Sequence, residues 1–449
     1  MKSLKGLFSG DARQFSMLFA LVALILFFQV MTGGKVLTPT NMVNLINGNS
    51  YVLILAIGMV MVIVIGHIDL SVGSVAAVTG IIVAIAMRDW GIPWWMGLLL
   101  GLAVGALIGA WQGWWVAYVG IPGFITTLAG MMLFRGLNQW IGKSNSVPVP
   151  EEFQTLGAGY LPEWGPNTGL NNSTLLLGIL AGGYIVWHEW KLRKKALRIG
   201  VQPVSNTVAG VRVGLLLAVV AYVTFLFGSG RVGTSFPVPG LILVGLVIVY
   251  HILTQRTVIG RHIYAVGGNR VAASLSGVST RRTYFFVMMN MSILAAVAGM
   301  VFIGRSRASG PFDGTNWELD AIAAVFIGGA AVSGGIGTVT GSIIGGLVMA
   351  TLNNGLQLMG VGSDQTQIIK GLVLLAAVAF DVYNKQQGRP SVIGLLFRRR
   401  PELETTDEEA SAVAPDVDPR SGAEVGVGGE PAPTDAQDQH PMGDAKERR

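Results

Sequence analysis

Apolar stretches long enough to cross a membrane fill most of the first 385 residues, and polar breaks separate them. A helix needs about 20 mostly apolar residues to span the hydrocarbon core. On that measure twelve segments are candidates: residues 14–31, 51–66, 71–87, 94–119, 122–141, 174–190, 213–228, 238–253, 283–304, 319–332, 337–356 and 367–382. Several fall short of that length, which predicts broken, tilted or re-entrant helices. The pattern predicts an all-α fold, a polytopic transmembrane helical bundle forming one membrane domain over residues 1–385.

The polar breaks set an orientation. Lys2, Lys5 and Arg13 precede the first segment. Strict alternation from a cytosolic N-terminus puts residues 191–212, 255–282 and 385–400 on the cytosolic side, and these are the three most basic stretches that follow. That is the bias expected of cytosolic loops. The opposite side receives residues 142–173, with Glu151, Glu152 and Glu163, together with 229–237 and 305–318, where Arg305 and Arg307 run against the bias. Both termini are then cytosolic.

Composition points the same way, with 51% apolar residues, 12% charged residues and 62 glycines, against the roughly 25% charged residues of soluble domains. The formal net charge of +6 hides a split, because residues from Pro401 onward hold 13 Asp/Glu against 4 Lys/Arg, and the preceding 400 residues hold 12 against 27. The basic excess sits in loops, where anionic lipid rather than nucleic acid is the expected partner. Residues 386–400 read as a basic juxtamembrane segment. Residues 401–449, rich in Pro, Gly, Ala and acids, read as a disordered cytosolic tail.

Catalytic chemistry finds little support. The absence of cysteine removes disulfides, thiol catalysis and Cys-based metal sites. The five histidines, His67, His188, His251, His262 and His440, form no pair at metal-ligand spacing. Gly142-Lys143-Ser144 is the nearest approach to a phosphate-binding loop, yet Leu137 stands where the leading glycine is required. The glycine-rich run 328–342 has the wrong spacing for a dinucleotide loop and suits close helix packing in lipid. The chain therefore reads as one that is not an enzyme and binds no cofactor or metal, with any energy source on another chain.

Polar groups inside apolar segments are costly in lipid and must face protein or water. Asp69 stands at the join of two segments, where its carboxylate can cap the following helix through amides near Ser71 and Val72, or line a solute path with Ser71 and His67. Residues 313–320 (DGTNWELD) place Trp317, Glu318 and Asp320 where an outer loop enters a helix; first-turn acids favour the helix dipole, and a polar entrance with Trp317 as a stacking face is the functional reading. Asn290, Asn353, Asn354 and Gln357 can bond across helices or meet solute. Residues 72–82 also echo 334–344, aligning Val78-Thr79-Gly80 with Val339-Thr340-Gly341, an internal repeat of the sort transporters use around a central pathway.

Residues 257–277 (TVIGRHIYAVGGNRVAASLSG) form a polar, basic and small-residue segment between apolar ones, suited to close approach by a partner surface. Together with IGHIDLSVGS (65–74), IPGFITTLAGMMLFRGL (121–137) and residues 318–345, this segment resembles the membrane permease of bacterial monosaccharide ABC importers, nearest the ribose and xylose branch. The extra apolar pair within 174–228 resembles the longer xylose type. The resemblance implies a permease homodimer in the bacterial cytoplasmic membrane, an ATP-binding-cassette ATPase subunit that holds the ATP, and an extracytoplasmic sugar-binding protein. It also implies that Gly260, Arg261, Ala265, Gly267, Asn269, Ala272, Ala273 and Gly277 form or frame a coupling helix seated on the ATPase. Asp69, Ser71, Trp317, Glu318, Asp320, Asn353 and Asn354 are the candidates for the translocation path. The alternative is an ion-coupled secondary transporter of a small polar solute, which would need membrane acids such as Asp69 or Asp320.

Overall fold

A computed structural model describes residues 12–166, 169–200, 205–229 and 235–386. Residues 387–449, and with them nearly all of the basic juxtamembrane stretch and the whole acidic tail, lie outside the described residues, as do residues 1–11. The described chain forms α1 (Ala12–Met31), α2 (Pro39–Val64), α3 (Val72–Asp89), α4 (Trp94–Trp114), α5 (Gly123–Ile141), α6 (Glu151–Ala158), α7 (Asn172–Arg198) and α8 (Asn206–Gly228). It continues through α9 (Val238–Arg256), α10 (Val258–Gly268), α11 (Arg270–Leu275), α12 (Thr280–Ser306), α13 (Trp317–Ile327), α14 (Val339–Leu358) and α15 (Ser363–Gln386). A π-helical turn at Trp115–Val119 extends α4. Two short strands, β1 (Val147–Pro148) and β2 (Ala308–Ser309), pair antiparallel with Val147 opposite Ser309.

Each of the twelve apolar segments falls mainly on a helix, and the fold is the predicted polytopic bundle. Among the described residues seven helices are long and apolar enough to cross a membrane: α2, α3, α4 with its π turn, α8, α9, α12 and α14. The segment expected over 319–332 is shorter than its hydropathy suggests. Its helix, α13, is 11 residues long and stops at Ile327, because Gly328 and Gly329 open an irregular stretch with Gly329 at φ 82°.

The centre of the bundle is α12, which packs against α4, α2 and α3. Residues 53–64 of α2 are buried without interruption, facing Met288, Met291, Leu294 and Ala295 of α12. α4 packs on α12 through glycines at every fourth position, Gly101, Gly105, Gly109 and Gly113, which fall on one helix face. A Cβ on Gly105 would lie 2.6 Å from Cβ of Ala296, and one on Gly109 would lie 2.7 Å from Cα of Met289. Bare backbone lets the two helices touch, the small-residue packing used between helices in lipid.

α12, at 27 residues, carries the chain from one end of the bundle to the other. At one end residues 257–279 meet the last carbonyl of α2 and residues 334–337. At the opposite end Arg305 reaches Gly48 and Asn354 reaches Asn41. Two helices are followed by irregular breaks inside the bundle, 65–71 between α2 and α3 and 328–338 between α13 and α14. The sequence echo falls close to both breaks but out of register with the helices, since Val339 opens α14 while Val78 lies six residues into α3.

Candidate functional site

The first break is built around Asp69. Gly66, at φ 82°, ends α2 with its amide on the Ile63 carbonyl, and the His67 amide reaches back to Val62, a closure that favours glycine. Asp69 is fully buried. Its Oδ1 accepts from the Ser71 amide at 2.8 Å and from the Ser71 hydroxyl at 2.6 Å. Ser71 Oγ in turn accepts from Nε2 of Gln112 on α4 at 2.7 Å, and Gln112 Oε1 accepts from Ser292 on α12 at 3.4 Å. Thr127 on α5 donates to the Ile68 carbonyl at 3.2 Å. The carboxylate thus serves the start of α3, as the sequence suggests, and side chains from three other helices hold the break in place. Gln112, a single amide in an apolar stretch of 26 residues, is a member of this network that sequence reading missed.

Glu318 faces the same place. Its carboxylate lies 3.7 Å from Arg135 of α5, and a Cβ on Gly73, in the first turn of α3, would meet Glu318 Oε2 at 2.8 Å and the Gly314 carbonyl at 2.0 Å. Asp69, Ser71 and Glu318 therefore gather around the N-terminus of α3. Among the described residues Asp69 Oδ2 and Glu318 Oε2 have no hydrogen-bond partner.

The other path candidates lie elsewhere. Trp317 is buried, with its ring centroid 4.2 Å from Tyr51 and 4.5 Å from Phe302, so these two rings occupy it rather than an open entrance. Asp320 is paired with Lys370 of α15 at 2.6 Å. Asn354 and Asn41 exchange amide hydrogen bonds of 2.8 and 2.9 Å, while Asn353 is half-buried beside them. Asn290 accepts from the Tyr250 hydroxyl at 2.6 Å. In the loop before α13, Asp313 accepts from the Gly310 amide at 2.7 Å. Burial pushes its carboxyl up to about 6, with that hydrogen bond pulling the other way.

Residues 257–279 form two short capped helices. Thr257 Oγ1 accepts from the Gly260 amide and caps α10. Asn269 Oδ1 accepts from the Ala272 amide at 2.9 Å and caps α11, the arrangement expected of an Asn N-cap. Gly277, at φ 84°, follows α11. The eight predicted residues divide by direction. Gly260, Gly267 and Ala273 face the bundle: a Cβ on Gly260 would meet the Thr254 carbonyl at 2.2 Å, one on Gly267 would meet the Val64 carbonyl at 1.9 Å, and Ala273 is buried. Arg261, Ala265, Asn269, Ala272 and Gly277 are exposed. Val271 and Leu275 stand beside them, 69% and 84% exposed, two apolar side chains in a polar segment that sequence reading passed over. Tyr264 is half-buried, and burial pushes its phenol up, so it remains a donor.

Membrane-crossing helices, two interrupted stretches at the core and a capped, outward-facing segment at one end define a multi-pass membrane permease. The chain belongs to the family described as "Branched-chain amino acid transport system / permease component", which residues 41–378 match. It is similar to the xylose transport system permease protein of Haemophilus influenzae, 38% identical over 383 residues, covering 84% of this chain and 98% of that protein. It is likewise 38% identical over 384 residues to the xylose transport system permease protein of Escherichia coli K12, covering 85% and 95% of the two chains. The ribose import permease protein of Bacillus subtilis is 31% identical over 374 residues, covering 83% and 94%. No solved structure matches the chain significantly.

Proposed function

We propose that this chain is the permease subunit of an ATP-driven importer that carries a monosaccharide, xylose or a related pentose, across the bacterial cytoplasmic membrane. In this reading two copies form the pathway, an ATPase subunit supplies the energy from the cytosolic face, and an extracytoplasmic binding protein delivers the sugar. Both termini are cytosolic. The observation that carries the reading is the likeness to xylose permeases along almost their whole length. The exposed face of α10 and α11, with Arg261, Ala265, Ala272, Val271 and Leu275, is the surface that docks on the ATPase. Apolar side chains ringed by polar ones suit a protein interface better than open water.

The chemistry of the interior supports a neutral, hydroxyl-rich cargo. Asp320 is neutralised by Lys370 and the Asn41–Asn354 amides satisfy each other, so the interior presents few uncompensated charges. Beside Asp69 the first break is surrounded by side-chain amides and hydroxyls, Gln112, Ser71 and Ser292. Closure of the ATPases shifts α10 and α11 and so alternates access across the membrane.

The test is affinity purification of the tagged chain from native membranes in mild detergent, followed by mass spectrometry. The reading expects an ATPase subunit with a phosphate-binding loop to co-purify and to be lost when Val271 and Leu275 are both changed to Ser. A chain that leaves the membrane alone, under conditions that keep other transporter complexes intact, would count against it.

A further inference from the structure

We infer that Tyr264 and Gly267 are positioning residues through which the α10–α11 segment grips both interrupted stretches of the bundle at once, so that one displacement at the ATPase surface moves α3 and α14 together. The inference rests on the proposed docking of that segment.

The two breaks and α10 meet at one point. The Val64 carbonyl, last in α2, accepts from the Gly335 amide of the second break at 2.8 Å. Gly267 of α10 lies against this hydrogen bond, because a Cβ there would be 1.9 Å from the Val64 oxygen and 3.0 Å from the Gly335 nitrogen. Gly335 itself sits at φ 75°, and a Cβ on it would be 3.0 Å from Cα of Gly268. Three stretches of main chain are thus in direct contact with no side chain between them. Two residues further along the second break, the Gly337 carbonyl accepts from the Tyr264 hydroxyl at 2.6 Å.

A second line reaches the first break from α11. The Arg270 guanidinium lies 5.3 Å over the Tyr284 ring, and Tyr284 meets His67 edge-on at 4.9 Å. His67 fills the space beside Gly123, where a Cβ would come within 2.9 Å of its Nδ1. Two residues later in the chain stands Asp69, whose hydrogen bonds fix the start of α3.

Contacts of this kind transmit displacement because they have nothing to absorb it. A long side chain can change rotamer when its neighbour moves, whereas touching main chain must shift as a body, and packed interiors respond by switching between arrangements rather than by stretching. α10 therefore cannot move without carrying Val64 and residues 335–337. Those residues lead into the Asp69 network and α3 on one side and into α14 on the other.

The test uses the complete transporter, permease with its ATPase subunit and binding protein, in proteoliposomes, with xylose uptake and ATP hydrolysis measured on the same sample. Tyr264→Phe removes one donor and leaves the ring. The expected result is an assembled complex whose hydrolysis stays within about twofold of wild type while xylose moved per ATP falls about fivefold, the factor that corresponds to one lost hydrogen bond of about 1 kcal/mol in the coupling step. Gly267→Ala should lose coupling further. Should that variant fail to insert, Tyr264→Phe decides alone. Tyr222→Phe, the same chemical change at an exposed tyrosine of α8, is the control and should match wild type. Tyr264→Phe with wild-type xylose per ATP overturns the inference and leaves the permease reading intact. A wild-type complex that hydrolyses ATP but imports no sugar overturns that reading, and the inference with it.

Discussion

The contact of α4 with α12 sets a specific cost for adding a single methyl group. Carbon atoms in good contact sit about 3.5–4.0 Å apart, and a Cβ on Gly105 would be 2.6 Å from the Ala296 Cβ and 2.9 Å from the Ser292 carbonyl. Gly105→Ala must therefore push the helices apart by about 1 Å, and overpacking of this kind costs about 1–3 kcal/mol. Alanine's better helix propensity returns about 1 kcal/mol. Gly109→Ala should fall at the upper end, since its new methyl would meet the Met289 Cα and carbonyl, both at 2.7 Å, and main chain cannot rotate away. Gly183 and Gly245, in α7 and α9, supply the controls, because a Cβ on either meets nothing within 4 Å. They gain the propensity with none of the clash. Unfolding in mixed micelles, followed by the fluorescence of the 11 tryptophans, should place Gly105→Ala and Gly109→Ala about 1–3 kcal/mol below the two controls. Equal stability across the four variants would mean that α4 and α12 do not touch through main chain, and the packing described above would be wrong.

Other consequences follow from the paired groups. In a double-mutant cycle, Asn41→Ala and Asn354→Ala should couple by about 0.6–1.7 kcal/mol, the range found for polar pairs between membrane helices; strictly additive losses would dissolve the pair. Lys370→Met leaves the Asp320 carboxylate without its partner, and with each side chain 20% exposed the loss should be about 1–3 kcal/mol, less than for a fully buried pair. Adding Asp320→Asn should recover most of it, and a double variant no better than Lys370→Met would refute the pairing. Asp313 should make stability depend on pH. Its carboxyl is raised to about 6 by burial, so the folded state holds its proton over a range where the unfolded chain has released it, and stability falls as pH rises from about 4 to 6. Asp313→Asn keeps an acceptor for the Gly310 amide and should flatten that part of the melting-temperature profile. An unchanged profile would assign the dependence to another group.

Hydropathy placed the long apolar helices, because about 20 apolar residues in lipid have few alternatives to a helix. The cap of Asp69 on Ser71 was also legible, a bond between residues two apart, whereas the Asn269 cap on Ala272 emerged only from the structure. What sequence could not supply was long-range pairing. Gln112 with Ser71, Asp320 with Lys370 and Asn41 with Asn354 join residues far apart in the chain, and nothing local marks one amide or acid as the partner of another. Trp317 shows the same gap from the other side, since its position beside an acidic loop suggests a stacking face while Tyr51 and Phe302 enclose it. The end of α13 was lost because Ala330, Ala331 and Val332 carry the hydropathy onward after Gly328 and Gly329 have broken the helix. In the α10–α11 segment the sequence shows the small residues but not their direction: Gly260, Gly267 and Ala273 face inward while Val271 and Leu275 face out.

The most direct measurement of the central claim is uptake of labelled xylose by proteoliposomes holding this chain and its ATPase subunit, with the binding protein supplied on the outside and ATP on the inside. The account predicts accumulation that requires all three proteins and ATP and that survives an ionophore which collapses the proton and sodium gradients. Accumulation by the chain alone, abolished by the ionophore and indifferent to ATP, would contradict it and would make the buried Asp69 carboxylate the place to look for the coupling ion.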